Sequence, residues 1–119
     1  MKNILRTLLI FILISSFLRA DNKPTFIMVY DQSCNACKET IKIIATNKKL
    51  SNAILTLTKP FQMTTEEAAK NNLLVRTVPT FFILDTDTGK MLTKPLEGAI
   101  KDPNDFTRFL EQIYSALNS

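Results

Sequence analysis

The chain has no histidine and only two cysteines. A tetrahedral zinc site built from the usual Cys and His ligands therefore cannot be assembled from it, although two thiolates alone could hold Cu(I). Past residue 20 there is no cation cluster larger than Lys48-Lys49, so the basic footprint of a nucleic-acid-binding protein is missing. No apolar run approaches the ~20 residues that span a bilayer comfortably. Internal repeats, low-complexity tracts and Pro- or Ser-rich linkers are also absent, which leaves one small domain with one core.

What is present begins with a leader. "MKNILRTLLIFILISSFLRA" carries Lys2 and Arg6, an apolar stretch from Leu8 to Leu18 interrupted by Ser15 and Ser16, and Ala20 before polar "DNK". A charged start, a short apolar segment and a small residue at the end describe a secretory signal, with cleavage expected after Ala20. An uncleaved anchor is the alternative, because Leu18 and Arg19 make an imperfect cleavage site. Removal of Lys2, Arg6 and Arg19 lowers the 15 Lys plus Arg to 12, against 11 Asp plus Glu. The basic character of the precursor is thus largely that of its leader. The expected organisation is a signal over 1–20 and an exported globular domain over 21–119.

Both cysteines lie in "Ser33-Cys34-Asn35-Ala36-Cys37-Lys38". Outside the cytosol a purely structural disulfide is conceivable. A bridge across so short a loop, however, removes little entropy from the unfolded chain. The neighbouring pattern places the pair. "Phe26-Ile27-Met28-Val29-Tyr30" reads as a strand buried on both faces, and polar Asp31-Gln32-Ser33 ends it. From Cys34 the period becomes helical, with Cys37, Ile41, Ile44 and Ala45 on one face. Cys34 then stands in the first turn, where unpaired backbone N–H groups and the helix dipole favour thiolate over thiol. That makes Cys34 the expected nucleophile, and Cys37, one turn further in, the residue that resolves a mixed disulfide.

Further along, "Ala53-Ile54-Leu55-Thr56-Leu57-Thr58" alternates as a second strand should. "Thr64-Thr65-Glu66-Glu67-Ala68-Ala69-Lys70" has the hydroxyl cap and early acids of a short helix. "Thr80-Phe81-Phe82-Ile83-Leu84" is a third strand, followed by the turn Asp85–Gly89 and a hairpin return at Lys90–Thr93. Asp102 and Pro103 open a last helix, with an apolar stripe of Phe106, Phe109, Leu110, Ile113 and Leu117. Phe61, Phe81 and Phe82 are expected in the core, with Phe61 able to border a groove. Met28, Met63 and Met91 are expected as core or edge residues.

The order β-α-β-α-β-β-α, with Cys34-Asn35-Ala36-Cys37 at the first strand-to-helix junction and Val78-Pro79-Thr80 before the third strand, resembles the thioredoxin fold over residues 25–117. The resemblance implies an α/β domain with a central mixed sheet of about four strands flanked by helices. It further implies a cis Val78-Pro79 bond against the sulfurs. The backbone around Thr77, Val78 and Pro79 would pair with an extended substrate segment by strand addition. No cofactor beyond the Cys34-Cys37 pair is expected.

The chain departs from thioredoxins proper. Ser33 stands where they have Trp before the first Cys, and Asn35-Ala36 replaces Gly-Pro. Met28 occupies the position of the buried Asp that assists proton transfer. Asp31, Lys38 and Lys59 are the nearby charged residues, each read as solvated. The compact size leaves no room for the inserted helical domain of periplasmic oxidases or a dimerisation domain. The chain looks most similar to small exported thioredoxins that keep protein thiols reduced with electrons from a membrane-bound reductase. A monomeric thiol:disulfide oxidoreductase acting on protein cysteines, in the reducing direction, is the expectation. An oxidant of exported thiols and a Cu(I)- or partner-binding module are the alternatives, the copper reading weakened by the lack of histidine.

Overall fold

The computed structural model describes residues 22–119; the expected signal and its cleavage point lie outside them. Strand β1, Thr25–Tyr30, is the axis of the molecule. It pairs in parallel with β2, Lys59–Thr64, and antiparallel with β3, Thr80–Leu84. A two-residue β4, Leu96–Glu97, adds to β3 to give the order β2-β1-β3-β4. Side chains alternate across a strand, and the core divides accordingly. Phe26 and Met28 join Phe81 and Ile83 in one apolar cluster, whereas Ile27, Val29 and Phe82 join the other.

Three helices cover the first face: α1, Asn35–Thr46; α2, Lys48–Leu57; and α4, Pro103–Leu117. They contribute Cys37, Leu50, Ala53, Ile54 and Leu110 to the larger cluster. Within it Phe26 and Phe81 stack at 5.4 Å, and Phe106 meets Phe81 edge-on at 5.4 Å. Helix α3, Thr65–Lys70, covers the second face with Ala68. Its capping box is complete: Thr64 accepts from Glu67 N–H, and Glu67 accepts from Thr64 N–H. Asp102 caps α4 by accepting from Asn104 and Asp105 N–H, with Pro103 in the first turn.

The segment expected as a second strand is helical instead. Asn47 caps α2, its Oδ1 accepting from Leu50 N–H at 2.9 Å, and Leu50, Ala53, Ile54 and Leu57 then recur at i, i+3, i+4 and i+7. That set packs on the larger cluster, while Leu55, in phase only with a strand, is 66% exposed. The strand itself comes later, at Lys59–Thr64. It is an edge strand, where the missing N–H of Pro60 is tolerated. Phe61 is accordingly not core: its register with Ile27 puts it on the α3 side at the sheet edge, 55% exposed.

Two smaller differences concern faces and partners. In α1 the fully buried residue one turn beyond Cys37 is Thr40, while Ile41 and Ala45 are exposed. The hairpin return is limited to a single bridge, Leu84 to Met91, with Leu92 N–H donating to Ile83 O. The residues that extend the sheet are Leu96 and Glu97.

Candidate functional site

Both cysteines sit where β1 hands over to α1, and they form a disulfide with Cα atoms 5.2 Å apart. Asp31-Gln32-Ser33 turns the chain, Cys34 N–H donating to Asp31 O at 3.1 Å. Cys34 is the N-cap of α1, with extended backbone dihedrals, and its Sγ accepts from Cys37 N–H at 3.0 Å. A sulfur thus takes the place of the oxygen that normally caps a helix. In a reduced pair the same donor, and the positive end of the α1 dipole, stabilise a negative charge on Cys34.

The two sulfurs are not equivalent. Cys37 is 1% exposed and belongs to the larger core cluster, whereas Cys34 is only partly buried. Cys34 Sγ also lies 3.6 Å from the carbonyl oxygen of Val78. The Val78–Pro79 peptide bond is cis. Pro79 is buried and Val78 packs against both core clusters, while Thr77 is exposed and its carbonyl accepts from the Thr80 hydroxyl at 2.6 Å. The chain from Thr77 to Pro79 is therefore brought beside Cys34, and Cys37 lies beneath. Among the described residues the Val78 N–H and carbonyl have no backbone partner. Free peptide groups next to a reactive sulfur are what an added strand needs.

Other expected neighbours are placed elsewhere. Met28 is buried within the cluster that holds Cys37, so no carboxylate occupies that position. Lys59 pairs with Thr25 at the opposite end of β1 from Cys34, about 16 Å away along a strand at ~3.3 Å per residue. Asp31 and Lys38 are exposed, as read from the sequence. Phe61 pairs with Ile27 at the middle of β1, on the face of the smaller cluster.

Four residues escaped the sequence reading. Thr40 ties α1 to the loop before α4, its hydroxyl accepting from Ile100 N–H at 3.4 Å. Its position three beyond Cys37 was the available signal. Arg76 donates to Glu97 at 2.7 Å, which links the segment carrying Val78 to β4. Glu97 raises the guanidinium pKa further above its ordinary value through this hydrogen bond and its charge. Gly98 N–H donates to Pro79 O at 2.8 Å and adopts φ +99°, a backbone state that only glycine enters without strain. Arg76 could have been noticed two residues before Val78; Glu97 and Gly98 come close only through tertiary pairing.

Among the described residues no group of three or more His, Cys, Asp or Glu side chains is placed to hold a metal ion, and no helix is long and apolar enough to cross a membrane. The four-stranded mixed sheet, the disulfide at the first strand-to-helix junction and the cis-proline segment facing it define a thioredoxin-fold protein with a C-x-x-C pair. The family model of the thioredoxin-like domain matches residues 17–114, and the chain belongs to that family.

Solved structures agree on the fold. A thioredoxin-fold protein from Helicobacter pylori is 20% identical, with 79% of this chain and 70% of that chain aligned at a TM-score of 0.68. The reduced DsbD C-terminal domain of Neisseria meningitidis is 23% identical over 82% of this chain and 87% of that one, at a TM-score of 0.58. A disulphide isomerase from Xylella fastidiosa Temecula1 is 17% identical over 77% and 79%, at 0.59. No curated protein matches the sequence at a significant level.

Proposed function

We propose that the protein is an exported thiol:disulfide oxidoreductase that reduces disulfides in other proteins. The observation that carries this reading is the asymmetry of the pair. Cys34 caps a helix, is partly open and stands 3.6 Å from the Val78 carbonyl, while Cys37 is buried behind it. In the reducing direction the Cys34 thiolate attacks one sulfur of a substrate disulfide. The substrate S–S bond breaks, one substrate thiolate leaves, and a Cys34–substrate mixed disulfide forms. Cys37 then gives up its proton and attacks Cys34 Sγ, releasing the second substrate thiolate and closing the Cys34–Cys37 bridge. A dithiol donor, in this reading a membrane-bound reductase, returns two electrons and restores both thiols.

Val78-Pro79, flanked by Thr77, presents the strand-pairing groups that hold the substrate. The leader over 1–20 delivers the domain to the periplasm and is removed after about Ala20. There the domain works as a monomer without a cofactor beyond its own disulfide. Structural neighbours named for disulfide chemistry are in keeping with this reading.

Equilibration of the Cys34–Cys37 pair with glutathione or dithiothreitol, read by thiol alkylation, tests the direction. A potential close to about −270 mV supports a reductant, whereas one close to about −120 mV makes the protein an oxidant of exported thiols. The roles are tested separately: Cys37→Ser should accumulate mixed disulfides with substrate proteins and Cys34→Ser should not. Loss of that asymmetry overturns the assignment. Tight one-to-one Cu(I) binding by the reduced pair with no exchange activity would replace the reading with a copper carrier.

A further inference from the structure

The surface next to Val78 carries more positive than negative charge. Arg76, two residues before Val78, is 76% exposed in its side chain although it donates to Glu97. On the α3 side of β3 and β4, a cavity of about 600 Å³ is lined by Leu73, Leu74, Arg76, Met91, Lys94 and Glu97, among others. Glu97 is the one acid in that lining, and it already pairs with Arg76. Lys94 has no ion pair among the described residues. Leu74 is 83% exposed at the rim and Met91 44%, so the groove combines an apolar wall with two cations.

We propose that this groove selects the substrate: a disulfide-bearing polypeptide segment that runs as an extended strand past Val78 and carries an acidic residue close to its reacting cysteine. The proposal rests on the exchange reading of Cys34 and Cys37. A strand paired through the Val78 backbone, which has no backbone partner among the described residues, would bring the residues next to its cysteine toward Arg76, two positions before Val78. Residues two apart on an extended chain project from the same side, roughly 7 Å from each other. An acid at that distance meets Arg76 and Lys94 while leaving the substrate cysteine at Cys34. An apolar neighbour of the acid rests against Leu74 and Met91. Asp31 and Lys38, three positions before and four after Cys34, are both exposed and of opposite sign.

Exposed pairs of this kind are individually weak, so the selection is expected to be about fivefold for the two cations together. It should fade as salt screens the charges. The test uses the purified, reduced protein and three short peptides. Each bears one cysteine as a mixed disulfide with thionitrobenzoate, flanked by glutamates, lysines or serines. Release of thionitrobenzoate is followed by absorbance, and each rate is divided by the rate of the same peptide with dithiothreitol to remove intrinsic charge effects.

The glutamate peptide should react about fivefold faster than the lysine peptide in low salt, and the ratio should approach one in 0.5 M salt (~4 Å screening length). Arg76→Ala and Lys94→Ala should each lower the low-salt ratio, and Glu97→Gln should raise it. A ratio near one in low salt, a preference for the lysine peptide, or a ratio unchanged in the Arg76→Ala/Lys94→Ala double variant overturns the proposal. Failure of even the serine peptide to react overturns the exchange reading, and this proposal with it.

Discussion

Replacement of Met28 by aspartate would put a carboxyl where thioredoxins keep one, in a site this chain has built for a thioether. Met28 is 2% exposed and packs in the cluster that contains Cys37, Phe26 and Phe81. Two costs follow. Loss of the methionine side chain from a close-packed core removes about 2–5 kcal/mol. Ionisation of the new carboxyl adds a second, pH-dependent cost, because burial among apolar groups disfavours the charged form and moves a carboxyl pKa upward by as much as 3–5 units.

The sign is fixed by that direction. In the unfolded chain the aspartate titrates near ~3.9; in the fold it keeps its proton to higher pH. Relative stability is therefore full below about pH 4 and is lost as the pH rises toward the folded pKa, at about 1.4 kcal/mol per pH unit. Between pH 4 and pH 7 the loss reaches about 4 kcal/mol. Total stability of a small domain is about 5–15 kcal/mol, so Met28→Asp should be folded near pH 4 and largely unfolded near pH 7.

Met28→Asn supplies the same shape without the titration, and Met28→Leu should cost less than about 1.5 kcal/mol. The assay is urea denaturation of the oxidised proteins across that pH range, with stability read as the difference between the Asp and Asn variants. A difference that stays flat with pH would refute the reasoning, since it would mean that water or a cation reaches position 28.

Three further substitutions test other parts of the architecture. Asn47→Ala removes the side-chain cap of α2 and should cost about 1 kcal/mol, a fall in Tm of about 4–8 °C for a domain of this size; an unchanged Tm would mean that the cap is not what starts the helix. Phe61→Ser, at an exposed edge, should change stability by no more than about 0.5 kcal/mol, whereas a loss of the 3–5 kcal/mol typical of a buried aromatic would return Phe61 to the core. Gly98→Ala meets no steric obstacle to its Cβ yet must hold φ +99°. It should cost about 1–3 kcal/mol and slow exchange with protein disulfides by loosening the hydrogen bond to Pro79; full activity with native stability would show that Gly98 is dispensable to the site.

The parts of the molecule that were legible in the sequence are those whose signal is local. β1 declares itself as a continuous apolar run, α4 by its cap, its proline and its periodic stripe, and the sulfur site by the spacing of Cys34 and Cys37. The segment Ala53–Thr58 misled because six residues that alternate also belong to a helix, once Leu50 and the Asn47 cap are counted with them. β2 was hidden for the opposite reason. An edge strand needs little apolar surface, and Lys59, Pro60 and Gln62 do not look like a strand until β1 is laid beside them. β4 has only two residues and exists by virtue of its partner. The Arg76–Glu97 link, spanning 21 positions, could not be read from local pattern at all.

The unequal exposure of Cys34 and Cys37 has a kinetic consequence. A partner that exchanges with this pair reaches one sulfur atom, since the other is sealed in the core. In the proposed exchange cycle, the partner that loads electrons and the partner that unloads them would therefore have to visit the same atom in turn and could not be bound there together. Such a cycle would take the form of a double displacement: parallel lines in reciprocal plots, and mutual competition between the two partners for whichever redox form each does not consume. A surface that held either visitor too tightly would then slow the other.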